Sequence, residues 1–98
     1  MVLKVATFHA HCTDKQQVMK VAEEMMEVFA AWQELDAFTA LADKGLEDAG
    51  ALDCAVICLE NELADVITAA CNLAERYKLD MRAAMERCEA RNRARGRL

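Results

Sequence analysis

The chain contains no proline and only three glycines in 98 residues, so few positions force a helix to stop or favour a tight turn. Residues that favour helix, such as Ala, Leu, Met, Glu, Lys and Arg, dominate the sequence. No internal repeat or linker divides it. This composition predicts one all-α domain over residues 1–98, folded as an antiparallel bundle of three to four main helices.

Apolar residues recur at three- and four-residue spacing, which is typical of amphipathic helices. Three segments show this spacing and are predicted to be helices, at about 14–35, 53–77 and 81–93. Thr13 or Asp14 is expected to cap the first helix, and Asp80 the last. Residues 1–13 are expected to be extended or loosely ordered, and residues 36–50 to form a polar connection with room for a short helix.

Hydrophobic residues make up 55% of the chain, a large share for a domain of this size. A short chain buries only about 60–65% of its unfolded surface, so apolar side chains remain at its surface. Self-association is the simplest way to cover them. A homo-oligomer is therefore expected.

Charge is unevenly distributed along the sequence. Residues 1–74 hold 4 basic and 13 acidic side chains, a net charge of −9, whereas residues 75–98 hold 8 basic and 4 acidic side chains, a net charge of +4. The acidic body argues against nucleic acid as the main partner, and residues 94–98 are interpreted as a basic tail. An anionic ligand would have to be bound through metal ions.

The five cysteines are an odd number, and the first residues lack the apolar core of a secretory leader. This combination favours reduced thiols and a cytoplasmic location. The most apolar helix is interrupted by Glu60, Glu62 and Asp65, so no membrane span is expected.

Two pairs of acids stand at three-residue spacing on different predicted helices. Glu24 and Glu27 share one edge of the first helix, where a solvated face is the simpler interpretation. Glu62 and Asp65 lie within a largely apolar helix, on a polar strip about 120° wide. The other members of this strip are Asn61, Thr68 and Asn72.

Four carboxylates brought together by two helices would repel one another unless cations neutralise them. Hard divalent ions prefer oxygen ligands, so the acids favour Mg²⁺ or Mn²⁺ over zinc. Helical bundles build metal sites from inward-facing acids in this way. Metal ions would also acidify a water molecule, and Glu27 is our candidate for taking its proton.

The order of these motifs resembles the MazG-type all-α nucleoside triphosphate pyrophosphohydrolases. Glu-x-x-Glu is followed 38 residues later by Glu-x-x-Asp. The stretches VAEEMMEVFAAW and ENELADVITAACNLAERYKLDM are similar to the two core helices of that family, and ERCEARNRARG to its last helix. The resemblance covers about residues 8–96.

The resemblance implies that water cleaves the α–β phosphate bond of an NTP or dNTP, giving a nucleoside monophosphate and pyrophosphate. Nucleotide-pool house-cleaning is the role expected for such a reaction. The metal ligands, usually for Mg²⁺, would be Glu24, Glu27, Glu62 and Asp65, with Glu27 and Glu62 as the catalytic residues. Substrate contacts would come from Asn92, Arg95, Phe8 and His9. Family members are dimers or tetramers whose sites are completed by more than one chain.

One position departs from the family pattern. A lysine is often found four residues before the family's asparagine, whereas this chain has Cys88 there. An arginine of the last helix or the metal ions would then have to neutralise the phosphates.

Two further residues have alternative interpretations. Trp32 at the end of the first apolar stripe either packs in a core or interface or stacks on the nucleobase. Asn72 either contacts substrate or caps a buried polar network.

Other functions are compatible with the same residues. An all-α dUTPase or a phosphoribosyl-ATP pyrophosphohydrolase would use the same chemistry on a different substrate. A non-catalytic, cation-binding oligomeric bundle would need the acids alone. Binding of nucleic acid by the basic tail ranks last.

Overall fold

The computed structural model describes residues 1–46 and 49–98. It contains three helices, α1 (Asp14–Asp43), α2 (Ala49–Arg76) and α3 (Met81–Ala94), and no strand among the described residues. The prediction of an all-α chain is confirmed. None of the described helices combines the length and the apolar character needed to cross a bilayer.

The N-terminal caps agree with the sequence-based prediction. The Thr13 hydroxyl accepts a hydrogen bond from the backbone N–H of Gln16 at 3.1 Å, and Gln16 Oε1 accepts one from the Thr13 N–H at 2.8 Å. This reciprocal capping box starts α1. Asp80 caps α3 by accepting a hydrogen bond from the Ala83 N–H at 3.0 Å.

Helix α1 is longer than predicted and runs through residues 36–43, which were expected to be part of a connection. This segment contains three alanines and a leucine and no helix breaker, so the helix continues to Asp43. Gly45 has a φ of 69°, and its N–H donates to the Ala42 carbonyl at 2.9 Å. Helix α2 begins at Ala49 rather than Asp53. Residues 47 and 48 of the expected connection lie outside the described residues.

Helices α1 and α2 form an antiparallel hairpin. Asp14 at the start of α1 lies 2.8 Å from Arg76 at the end of α2. The buried apolar residues of the hairpin are all small, which lets the two backbones approach closely, and they are Ala31, Ala55, Ala69 and Ala74. No large apolar side chain of the described residues is fully buried.

Helix α3 shows no comparable packing against either helix within the described chain. The molecule measures 50 × 40 × 21 Å, with a radius of gyration of 17.1 Å. A compact domain of this length has a radius of gyration of about 13 Å. One chain therefore forms a helical hairpin with an attached third helix, and it does not close the predicted bundle by itself.

The N-terminal segment, residues 1–12, has neither helix nor strand and lies against α2. The Phe8 N–H donates to Asn72 Oδ1 at 2.9 Å, and the Arg76 guanidinium donates to the Cys12 carbonyl. These contacts hold the segment beside the polar strip of α2.

Candidate metal centre

The four acids predicted from sequence lie together in the hairpin. Glu24 and Glu27 on α1 face Glu62 and Asp65 on α2, and each offers one carboxylate oxygen within 4.8 Å of the other three. The three-residue spacing aligns each pair on its own helix, and the antiparallel pairing of α1 and α2 brings the pairs opposite each other. We call these four residues the acid cluster.

Two oxygens of the acid cluster are buried without a hydrogen-bond donor. Glu24 is only 6% exposed, and its Oε1 lies 2.9 Å from Lys20 Nζ. With all four acids ionised, no group among the described residues donates to Glu24 Oε2 or to Glu62 Oε2. A buried carboxylate oxygen without a partner is costly, and a cation bound here could provide that partner.

The acids also shift one another's pKa values. The pKa of Glu27 is raised, first because its protonated carboxyl can hydrogen bond to Glu24, and then because of the negative charge on Glu24. The pKa of Glu24 is lowered, mainly by its hydrogen bond to the Lys20 ammonium. The carboxylates of the cluster therefore repel one another and resist full ionisation. A divalent cation would relieve this repulsion.

The donor set suits a hard cation. All four groups are carboxylates, and oxygen ligands favour Mg²⁺, Mn²⁺ or Ca²⁺ over softer metals. Ligand oxygens on opposite sides of one ion with bonds of about 2.1–2.4 Å are about 4.2–4.8 Å apart. The observed upper separation of 4.8 Å therefore fits ligands of a single ion.

A cavity of about 480 Å³ adjoins the acid cluster. Its walls come from the N-terminal segment, the first turns of α1 and the polar strip of α2, and include Phe8, Lys20, Glu24, Asp65, Thr68 and Asn72. Its volume lies within the range of small-molecule sites. Carboxylates and an aromatic residue of the N-terminal segment thus line the same cavity.

The lining of a smaller cavity of about 200 Å³ includes Phe8, His9, Asn72 and Arg76. Asn72 is 6% exposed, lines both cavities and accepts the hydrogen bond from the Phe8 N–H. Both interpretations of Asn72 stay open, because it accepts this one hydrogen bond and also lines the larger cavity.

The other predicted substrate residues divide into two groups. Phe8 is 63% exposed and lines both cavities, whereas His9 lines only the smaller one and packs edge-to-face against His11. Trp32 lines neither of these cavities; its ring stacks on Phe29 with centroids 5.9 Å apart.

Asn92 and Arg95 are not brought to the acid cluster by the fold of one chain. Asn92 Oδ1 accepts a hydrogen bond from Arg97 at 3.1 Å, and its amide group donates to Cys88 Sγ at 3.7 Å. Arg95 is the C-terminal cap of α3. Neither residue lines the two cavities described above.

Sequence analysis missed three residues of this region. Lys20 stands four residues before Glu24, a spacing that typically allows an ion pair and could have identified it. Gln17 is buried and accepts from Arg76 at 3.4 Å, and Arg76 also donates to Asp14 at 2.8 Å. Those contacts join residues about 60 positions apart, and no local pattern predicts them.

Comparison with protein-family models, with curated proteins and with solved structures finds no match to this chain.

Proposed function

We propose that the protein is a metal-dependent nucleoside triphosphate pyrophosphohydrolase, which converts an NTP or dNTP to its monophosphate and pyrophosphate and serves in nucleotide-pool house-cleaning. The observation that supports this most is the acid cluster with its buried, unpaired Glu24 oxygen, opening on a cavity of about 480 Å³. The MazG-type motifs in the sequence point to the same reaction.

The proposed chemistry divides the work among the four acids. Mg²⁺ or Mn²⁺ held by Glu24, Glu27, Glu62 and Asp65 would bind the phosphates and lower the pKa of the attacking water. Glu27 is our candidate for taking the proton of that water, because it belongs to the acid cluster and is exposed to solvent. Glu62 faces Glu27 across the hairpin and orients the same water.

The cavity suggests how a nucleotide lies. Its phosphates would bind the metal ion held by acids that include Glu24 and Asp65. The rest of the molecule would extend towards Phe8, where an exposed aromatic ring can stack on a base. Asn72 also lines this cavity. His9 lines only the smaller cavity and would contact only a ligand that reaches it.

The chain is also proposed to act as a homo-oligomer, a dimer or a tetramer. Its accessible surface is 7731 Å², whereas a compact monomer of this size exposes about 5600 Å². The excess of about 2100 Å² is more than the roughly 800 Å² per partner of a standard interface. A neighbouring α3 could then supply Asn92 and Arg95, and a neighbouring α1 could supply Trp32. The five free cysteines suit the reducing cytoplasm.

The test is incubation of the purified protein with Mg²⁺ and a panel of NTPs and dNTPs, with pyrophosphate and orthophosphate measured separately. We expect monophosphate and pyrophosphate, no turnover in EDTA, and a loss of about 100-fold or more in Glu62→Gln. Glu60→Gln is the matched control, because Glu60 is an exposed acid on α2 outside the cluster. Full turnover in Glu62→Gln would contradict the assignment of the site.

The same panel, extended by phosphoribosyl-ATP, separates the related functions. Turnover restricted to dUTP favours a dUTPase, and turnover restricted to phosphoribosyl-ATP favours that pyrophosphohydrolase. Cation binding without turnover of any nucleotide favours a non-catalytic bundle, for which the acid cluster alone would suffice.

A further inference from the structure

Lys20 connects the acid cluster to the adjoining cavity. Its Nζ lies 2.9 Å from Glu24 Oε1 and 3.9 Å from Glu23 Oε2. Its side chain is 52% exposed, whereas that of Glu24 is 8% exposed. The Glu24 carboxylate is therefore fixed inside the hairpin, whereas the Lys20 ammonium is free to move.

Lys20 is also the only positively charged residue among the described residues that line the larger cavity. The cavity is part of an acidic body, with a net charge of −9 over residues 1–74. A polyphosphate entering the cavity would meet Glu23, Glu24 and Asp65, so a cation supplied by the chain is needed besides the metal.

A divalent ion on the acid cluster and the Lys20 ammonium compete for the same carboxylate. An ion bound to Glu24 and the nearby ammonium are both positively charged, so they would repel each other even in water. The lysine head sits on a flexible four-carbon stem and can reorient at little cost. The cavity in front of it is where the phosphates of the proposed substrate would lie.

We propose that Lys20 exchanges partners during ligand binding: it pairs with Glu24 before the metal binds, and it donates to a phosphate of the ligand afterwards. This inference rests on the proposed function, and it makes Lys20 the residue that supplies the positive charge missing at Cys88. If Lys20 exchanges partners in this way, Lys20→Met should strengthen the binding of the metal ion and weaken the binding of a polyphosphate.

The first measurement is Mn²⁺ binding, followed by electron paramagnetic resonance of the free ion. Lys20→Met removes the competing charge, so we expect Mn²⁺ to bind at least about fivefold more tightly than to the wild type. Lys15→Met is the matched control, because Lys15 is an exposed lysine of α1 that lines neither cavity. Its affinity for Mn²⁺ should stay within about twofold of the wild type.

The second measurement is calorimetric binding of inorganic tripolyphosphate at saturating Mn²⁺, a probe that carries phosphates but no base. Lys20→Met loses a charge-assisted hydrogen bond, so its affinity should fall by about tenfold or more. Lys20→Arg keeps the charge and should remain within about threefold of the wild type. Far-ultraviolet circular dichroism of each variant verifies that α1 is intact.

The outcomes distinguish this inference from the proposed function. Weaker Mn²⁺ binding in Lys20→Met, or unchanged tripolyphosphate binding, overturns the role of Lys20 while leaving the metal site in place. Wild-type protein that binds no Mn²⁺ overturns both. Tighter Mn²⁺ binding together with weaker tripolyphosphate binding supports the exchange, because a purely structural contact would weaken both.

Discussion

Glu24 lies where a neutral side chain would cost the fold less. One of its oxygens pairs with Lys20, and the other is buried with no donor among the described residues. Its neighbours Glu27, Glu62 and Asp65 add negative charge to the same small volume. Such an arrangement lowers the stability of the isolated hairpin, and a bound cation would recover that loss.

Replacing Glu27 should expose this conflict between stability and binding. The raised pKa of Glu27 means that the folded protein holds this proton at pH values where the unfolded chain has released it. Its contribution to stability is present at low pH and is lost as pH rises through the raised pKa. Glu27→Gln removes this loss, so in EDTA the variant should unfold at a higher temperature than the wild type at pH 7.

The same variant should bind Mn²⁺ at least about tenfold more weakly, because it lacks one ligand. The measurement is thermal unfolding between pH 4 and 8, with and without Mn²⁺. Glu34→Gln serves as the control, since Glu34 is an exposed acid of α1 outside the cluster. If Glu27→Gln unfolds with the pH dependence of the wild type, the neighbouring acids do not raise the pKa of Glu27.

The four acids could be predicted from sequence because three-residue spacing places each pair on one helix face. Their meeting across the hairpin required a register between α1 and α2 that no local pattern contains. That register follows from the seam of small residues, including Ala31 and Ala55, which only the folded pair reveals. The Lys20 pairing was predictable from its four-residue spacing and was overlooked.

At the scale of elements, the starts of helices were easier to predict than their lengths. Thr13 and Asp80 are specific N-terminal signals, and both cap their helices in the structure. Residues 36–43 look like a connection because of their polar side chains, yet nothing in them stops a helix. Gly45, with its positive φ, is the physical end of α1.

The N-terminal segment depends on Arg76 for its place on the hairpin. Arg76 donates to the Cys12 carbonyl, to Asp14 and to Gln17. Arg76→Ala should therefore release the segment, and the Phe8 N–H should exchange with deuterium about tenfold faster or more, because charge-assisted hydrogen bonds are lost. Hydrogen exchange followed by mass spectrometry on peptides covering residues 5–12 measures this.

Arg82→Ala is the control for this prediction, since Arg82 is an exposed arginine of α3. Its exchange in residues 5–12 should equal that of the wild type. Unchanged exchange in Arg76→Ala would mean that the Asn72 contact alone holds the segment. Because Phe8 is part of the cavity wall, release should also weaken nucleotide binding more than metal binding.

At the scale of the whole molecule, the sequence predicts an excess of apolar residues but not where they are covered. Phe29 and Trp32 stack on each other and remain 52% and 48% exposed. Met81 and Met85 on α3 are likewise exposed. The pattern of one chain cannot distinguish a face that packs within the chain from one that packs on a copy, because both need the same helical spacing.

The exposed apolar surface around Phe29 and Trp32 on α1 leads to a prediction about self-association. We expect the wild type to sediment as a dimer or larger at micromolar concentration, and Phe29→Glu to weaken association by about tenfold or more, since a charge would replace an apolar contact. Ala30→Glu adds the same charge about 100° around the helix and removes no large side chain, so it should assemble like the wild type. A wild type that remains monomeric throughout, or equal dissociation in both variants, would contradict the interface on α1. Catalysis that is lost along with assembly in Phe29→Glu, while Mn²⁺ binding persists, would show that a second copy completes the site.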